Sequence, residues 1–538
     1  MSVHPENNRL APRSSGQRLS QRSVDGPDLS TADELSTEPQ GKPSAASSGL
    51  VHQESATTRR DMLFRTGAGW GGLALTAMLA KDGFWNRTAR AADLTANSAP
   101  AAGTAVSPRL NVRSGHHPAS ATSVIFLFMD GGPSHIDTFD PKPMINEFAG
   151  KPLPPSIKRA HFPMGVSENP LLASPRTWKK YGEAGIPVSN WYPLVGECAD
   201  DLCVVRSCWS NGLNHVGSVC QMNTGSILAG RPSLGAWVNY GLGSENNNLP
   251  GFVVLLDNDR EPPGGSRVWG TGFMPATHQG TRFRQGKTPI LHLAPPDAVT
   301  ARQQRGKLDF IAEVNQRHAA ARPGDTELEA RIAAYELAFR MQSEAPIAVD
   351  LAEETKETQD LYGLNDPATA SFGRNCLLAR RLVERGVRFI QLYSGSGSQW
   401  DAHTKIEENH TRLCRSTDRP IAGLLKDLKR RGLLDNTLVV WGGEFGRTAM
   451  SEKGDGRDHN PYGFTVWMSG GGTAGGQIVG ATDEFGVHAV ENRVHVHDLH
   501  ATILELLGLD HTQLLFKHQG RMERPTVNEG RVVDEILG

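Results

Sequence analysis

The chain reads as an α/β protein built on a mostly parallel central sheet, and three features of the sequence carry that expectation. Continuous apolar runs such as Ser123-Val-Ile-Phe-Leu-Phe-Met129 and Leu438-Val-Val-Trp441 have the pattern of strands buried on both faces. Each run ends in glycine beside an acidic residue, Asp130-Gly-Gly132 and Gly442-Gly-Glu444, and so delivers polar groups to the carboxyl edge where open α/β folds keep their sites. Helical spacing fills the intervals, as in Leu328-Glu-Ala-Arg-Ile-Ala-Ala-Tyr-Glu-Leu-Ala-Phe339.

With 538 residues the chain can bury a large core, and 38% hydrophobic content with a mean hydropathy of -0.39 reads as a soluble globular protein. Lys and Arg total 56 against 58 Asp and Glu, a net charge of -2, so global charge does not argue for nucleic acid or an anionic membrane as partner. A small partner is expected. Nineteen His is a high count, and many stand beside Asp and Glu in the last two-fifths of the chain. The six cysteines form no CxxC pair, and their spacing predicts no disulfide.

Residues 1–55, rich in Ser, Pro, Gln, Glu and Asp, are expected to be disordered because they bury too little to repay ordering entropy. The paired Arg59-Arg60, the short apolar run Gly67 to Ala80 and the Ala-rich Ala89-Arg-Ala-Ala92 make 56–92 a twin-arginine signal peptide. That implies the twin-arginine export machinery as a partner, a periplasmic or otherwise exported location, and no stable membrane span in the mature chain. Residues 93–120 read as a linker and 121–538 as the functional domain.

Within that domain the first apolar run places Asp130 at the sheet edge, as a metal ligand or as a plain turn-forming Asp before Gly-Gly. Asp201-Leu-Cys-Val-Val-Arg-Ser207 is the next strand. Its turn leads into a helix over Val216 to Asn223 whose positive end lets His215 meet an anion or a metal. Gly251 to Leu256 continues the alternation, Asp297 to about Arg385 is helical scaffold, and Arg388 to Tyr393 is a further strand. After it, Asp401 and His403 form a carboxylate and imidazole pair that suits zinc or a similar divalent ion.

A helix over Pro420 to Arg431 leads into the strand ending at Glu444, and Asp458-His459 precede another strand, Phe464 to Met468. Asp458 and His459 are adjacent, so in a strand one of them faces the site, and His459 is the choice. Gly470-Gly-Gly-Thr-Ala-Gly-Gly476 lacks the Lys-Ser/Thr and following helix of a phosphate loop. Asp498 is the expected N-cap of the last helix, with His495, His497 and His500 either ligands or surface and supporting residues.

Three blocks resemble the DUF1501 family: Phe126 to Pro143, Trp441-Gly-Gly-Glu-Phe-Gly-Arg-Thr448 with Gly456-Arg-Asp-His-Asn-Pro-Tyr-Gly-Phe464, and Glu491 to Ile503. The family belongs with the alkaline phosphatase and sulfatase superfamily. The resemblance implies an αβα sandwich with a mostly parallel central sheet of alkaline phosphatase-like type and a metal site at its carboxyl edge. Leu434 to Gly446 is similar to the sulfatase run Leu-x-Asp-Asn-Thr-Leu-Val-Val-Phe-Thr-Ser-Asp-His-Gly, which sets Glu444 at the metal-binding Asp and Phe445 at the His. His459-Asn-Pro looks like a ligand segment of cofactor-independent phosphoglycerate mutases, and Asp401 and His403 look like the phosphatase Asp and His. Met222-Asn-Thr-Gly225 with Gly230-Arg-Pro resembles the segment after the sulfatase nucleophile, whose place falls on His215; no Cys-x-Pro-Ser-Arg stands there.

The expected function is an exported, metal-dependent hydrolase of phosphate or sulfate esters. The ligands are Asp130, Asp401, His403, Glu444, Asp458 and His459, and the nucleophile is His215 or a metal-activated water. Arg447 or Arg457 is expected to offer a bidentate clamp for the anion. The cofactor is a divalent metal, zinc as one or two ions, or calcium or manganese; the substrate is a small-molecule or glycan ester. The alternative is a superfamily member without turnover that binds an anionic glycan or assembles with other exported proteins.

Overall fold

The computed structural model describes residues 112–284, 290, 293, 298–322 and 326–538. The expected disordered extension 1–55, the signal peptide 56–92 and most of the linker 93–120 lie outside the described residues. The end of that linker, from 112 on, is bonded to the domain: the Arg113 amide donates to the Leu242 carbonyl at 2.9 Å and the Ser120 amide to that of Leu506 at 2.9 Å.

The main sheet has nine strands, numbered here in chain order: β1 Ser123–Met129, β2 Leu202–Trp209, β3 Phe252–Leu256, β4 Thr281–Phe283, β5 Phe389–Ser394, β6 Thr437–Gly442, β7 Phe464–Ser469, β8 Gln477–Val479 and β9 Val494–His495. They lie in the order β8-β2-β7-β6-β1-β5-β3-β4, with β9 also on β2. Every pairing is parallel except those of β7, which runs antiparallel between β2 and β6.

Alternation along each strand explains the two-sided burial. In β1, Ile125, Leu127 and Met129 enter one core, with Leu377 and Leu382 of the helix Ala370–Glu384 and Leu413, Ile421 and Leu424 of the helix Ile406–Arg430. Val124, Phe126 and Phe128 enter the other, with Val219 and Met222 of His215–Thr224, Trp237 and Val238 of Leu234–Leu242, and Leu499 and Ile503 of Val496–Leu506. Helices thus cover both faces, which makes the domain an αβα sandwich and accounts for unbroken apolar strands.

Two sequence expectations are corrected. The helix predicted from Pro420 begins at Ile406 and carries Pro420 in its interior, because burial of Leu413, Cys414, Ile421, Leu424 and Leu428 on one face outweighs the lost backbone bond. The last helix is capped by His495 rather than by Asp498, which instead accepts from the His495 amide at 2.9 Å as the third residue of a capping box. All six cysteines are buried and free. Among the described residues no helix is long and apolar enough to cross a membrane.

His500 of that last helix is buried against the opposite helix, its Nε2 2.8 Å from the Met222 carbonyl. Burial pushes its pKa down from 6.5 to about 4. Below pH 6.5 the unfolded chain takes up a proton that the folded chain refuses, so this contribution is complete above pH 6.5 and lost as pH falls toward 4, on the order of 3 kcal/mol. His500→Gln keeps an N–H for Met222 and removes the titrating ring. Denaturant unfolding between pH 6.5 and 4 is expected to show a shallower loss of stability in the variant; equal slopes would contradict the assignment.

Candidate metal centre

The carboxyl ends of β1, β5 and β6 lie side by side, so Asp130, the Trp400-Asp401-Ala-His403 segment and Glu444 reach one edge. The antiparallel course of β7 brings its amino end to the same edge. The hairpin Gly446–Glu452 and Gly456–Asn460, which enters β7, therefore hangs over the site with His459 in its second strand. His215 arrives as the first residue of its helix, whose N-cap Asn214 accepts from the Gly217 amide at 3.0 Å.

Four of these side chains converge. His215, Asp401, His403 and His459 each offer a ligand atom within 4.8 Å of the others. His215 Nε2 lies 3.1 Å from Asp401 Oδ2, His403 Nε2 lies 3.0 Å from Oδ1, and His459 Nε2 lies 3.4 Å from Oδ1. Each imidazole is held from behind through Nδ1. Glu444 holds His215 at 2.7 Å, Glu452 holds His403, and the Leu213 carbonyl accepts from His459 at 2.9 Å. Outer hydrogen bonds of this kind fix the tautomer and aim the second nitrogen at a metal.

The inner atoms are close but not bonded to one another. His215 Nε2, His459 Nε2 and Asp401 Oδ1 are buried without a hydrogen-bond partner, because the contacts meet the distance but not the direction a proton requires. A cation between them has no such directional demand and satisfies all of them, so the residues fit a divalent ion with three imidazoles and one carboxylate. Electrostatics agree. Burial opposes a proton on His215, but Asp401 and Glu444 outweigh it and push its pKa up to about 9. Burial likewise opposes charge on Asp401, yet the three imidazoles and Arg447 hold its pKa well below the usual carboxylate range. Burial lowers the pKa of His459 instead, so the pull toward positive charge is centred on His215 and Asp401.

The other expected site residues take different places. Glu444 is fully buried, accepts from the Gly131 amide at 3.1 and 3.2 Å, and reaches the four-residue group only through His215. Asp130 binds the Gly397 and Ser398 amides through Oδ2, while burial and the Glu444 charge push its pKa up to about 8. Asp458 accepts from the Met164 and His459 amides and sits with His403 and Glu452 rather than in the central group.

The donors of both arginines meet groups of the chain itself. Arg457 is spent on Asp137 at 3.0 Å and on the carbonyls of Thr448, Ala449 and Leu172. Arg447 does touch the site, 2.8 Å from Asp401 Oδ1, but its remaining donors serve the carbonyls of Gly131, Gly132 and Arg457. Both are fully enclosed, and a buried guanidinium recruits carbonyls to satisfy its fork.

Sequence reasoning missed the orienting groups. Glu452, the Leu213 carbonyl and the Gly131 amide carry no local motif, and only the backbone path brings them in. Gly131 has φ +116° and a Cβ there would lie 2.5 Å from the Asp401 amide nitrogen, so glycine is required for strand β1 to pass the Asp401 loop. Phe445, at the position aligned with a sulfatase ligand, stacks on His459 with ring centroids 4.3 Å apart.

These features coincide with the region recognised by comparison. The family model described as Protein of unknown function (DUF1501) matches residues 121–537, and the chain belongs to that family. Similar solved structures include the PsFucS1 sulfatase from Pseudoalteromonas sp., with 13% identity, 72% of this chain and 68% of that chain covered, and a TM-score of 0.31. The phosphonate monoester hydrolase SpPMH from Silicibacter pomeroyi has 12% identity, 64% and 71% coverage and a TM-score of 0.31. The alkaline phosphatase from the Antarctic bacterium TAB5 has 10% identity, 73% and 99% coverage and a TM-score of 0.31. No curated protein matches the chain in sequence.

Glu452→Gln keeps the size of the side chain but replaces the carboxylate behind His403. Zinc affinity, measured by competition with a chromogenic chelator, is expected to fall roughly 10- to 100-fold. Unchanged affinity would mean that His403 is not a ligand.

Proposed function

We propose that this protein is a metal-dependent hydrolase of phosphate or sulfate esters, exported through the twin-arginine route that Arg59-Arg60 supports. The observation that carries the reading is the meeting of three imidazoles with Asp401 at a sheet edge open to solvent, where Asp401 is about one-quarter exposed. A divalent ion, zinc by its fit to this donor set, supplies Lewis-acid polarisation of an ester oxygen and acidifies water.

The chain's own residues do the rest. Glu444, Glu452 and the Leu213 carbonyl keep the three imidazoles in the ligand tautomer, and Arg447 keeps Asp401 ionised. His215 has Nδ1 on Glu444 and Nε2 against Asp401, so it acts as a ligand and leaves attack to water rather than serving as the covalent nucleophile. Because neither Arg447 nor Arg457 has a free fork, the negative charge of a small-molecule or glycan ester would be balanced by the divalent ion this cluster would hold and not by an arginine clamp.

A second reading rests on the ligand count. Four protein ligands are the number a closed structural zinc site uses, and Phe445 fills the place of a further one, as in a protein that binds an anionic glycan or assembles with partners without turnover. Metal analysis of the purified protein together with turnover of aryl phosphate and aryl sulfate esters separates the two. The hydrolase reading expects stoichiometric metal and a loss of about 100-fold or more in kcat/KM in His459→Ala, the scale of several kcal/mol of charge stabilisation. Bound metal with no turnover on either ester class selects the second reading, and a metal-free protein contradicts the hydrolase.

A further inference from the structure

We propose that His495, His497 and Glu529 form a second divalent-metal site, separate from the cluster around Asp401. Each offers one ligand atom within 4.8 Å of the others. His497 is more than nine-tenths buried, and its Nε2 lies 2.6 Å from the Gly225 carbonyl, which can only accept. The proton is therefore on Nε2. In the neutral ring Nδ1 carries a lone pair, is buried without a hydrogen-bond partner, and faces Glu529 Oε2 at 3.4 Å. The Nδ1 lone pair and the carboxylate are two acceptors set face to face, and a cation between them removes their repulsion.

His495 stands beside this gap in the same tautomer. Its Nε2 lies 2.7 Å from Asn211 Oδ1, and its Nδ1 accepts from the His497 amide at 3.2 Å, a long bond that a metal can replace. The two rings are 4.5 Å apart between centroids and nearly perpendicular. Both imidazoles thus have oxygen acceptors behind Nε2, the supporting arrangement of metal-binding histidines.

The third ligand is tethered in place. Asp498 accepts from the His495 amide at 2.9 Å and from the Arg531 amide at 2.8 Å, which ties the loop carrying Glu529 to the helix start carrying both histidines. Gly530, at φ +95°, lets that loop press against His497, where a Cβ would lie 2.9 Å from the His497 carbonyl oxygen. Two imidazoles and a solvent-facing carboxylate leave coordination positions open to water, a donor set suited to zinc and related transition ions.

The test is zinc content per chain of the full-length protein after zinc loading and gel filtration, compared with Glu529→Gln and His497→Gln. Glu529 is exposed, so its variant folds; Gln at 497 retains an N–H for the Gly225 carbonyl. The wild type is expected to hold one zinc more than either variant. Equal zinc in all three proteins would overturn the proposal and leave a His497 imidazolium paired with Glu529. If the Asp401 cluster itself fails to bind, the wild type still holds one zinc and the variants none, so the two sites fail distinguishably.

Discussion

The site is organised by one carboxylate. Asp401 has an imidazole nitrogen from three different parts of the chain within 3.4 Å and the Arg447 guanidinium at 2.8 Å, and no other side chain in the cluster touches all of them. Two of the imidazole nitrogens, His215 Nε2 and His459 Nε2, are buried without a hydrogen bond. The surrounding structure tolerates this because each histidine is fixed from behind. The rear contacts to Glu444, Glu452 and Leu213 hold the cluster in a shape that suits an ion before one arrives.

That shape is a product of sheet topology. Parallel β1, β5 and β6 bring Asp130, Asp401 and Glu444 to one edge, and the single antiparallel strand β7 returns the chain so that the residues before it share that edge with residues after the others. A wholly parallel sheet would send the hairpin that carries His459 to the opposite edge. The close approach of Gly131 to the Asp401 loop completes the construction, since only glycine lets the end of β1 pass directly beside that loop.

Much of this was legible in the sequence. Unbroken apolar runs ending in Gly and an acidic residue predicted buried parallel strands and a polar carboxyl edge, and the family resemblance implied the αβα sandwich. Asp401 and His403 after one strand and His459 just before another were readable as candidate ligands, alongside Asp130, Glu444 and Asp458, which stand outside the four-residue group. The roles of His215, Glu444 and the two arginines were not. The hydrogen bond between His215 Nδ1 and Glu444 is made across the fold, and whether a guanidinium is free depends on which carbonyls surround it. Glu452 and Leu213 were invisible for the same reason: a supporting contact made across the fold leaves no spacing signature in the sequence. Pro420 likewise misled the reading of its helix, since a propensity for breaking gave way to burial of one apolar face.

The most direct test of this account is a crystal structure of the zinc-loaded protein with anomalous scattering measured at the zinc edge. The account predicts a peak bounded by His215, His403 and His459 through Nε2 and by Asp401, at about 2.0–2.2 Å from each ligand atom. An anomalous map with no peak there, with the four side chains keeping their positions, would contradict it.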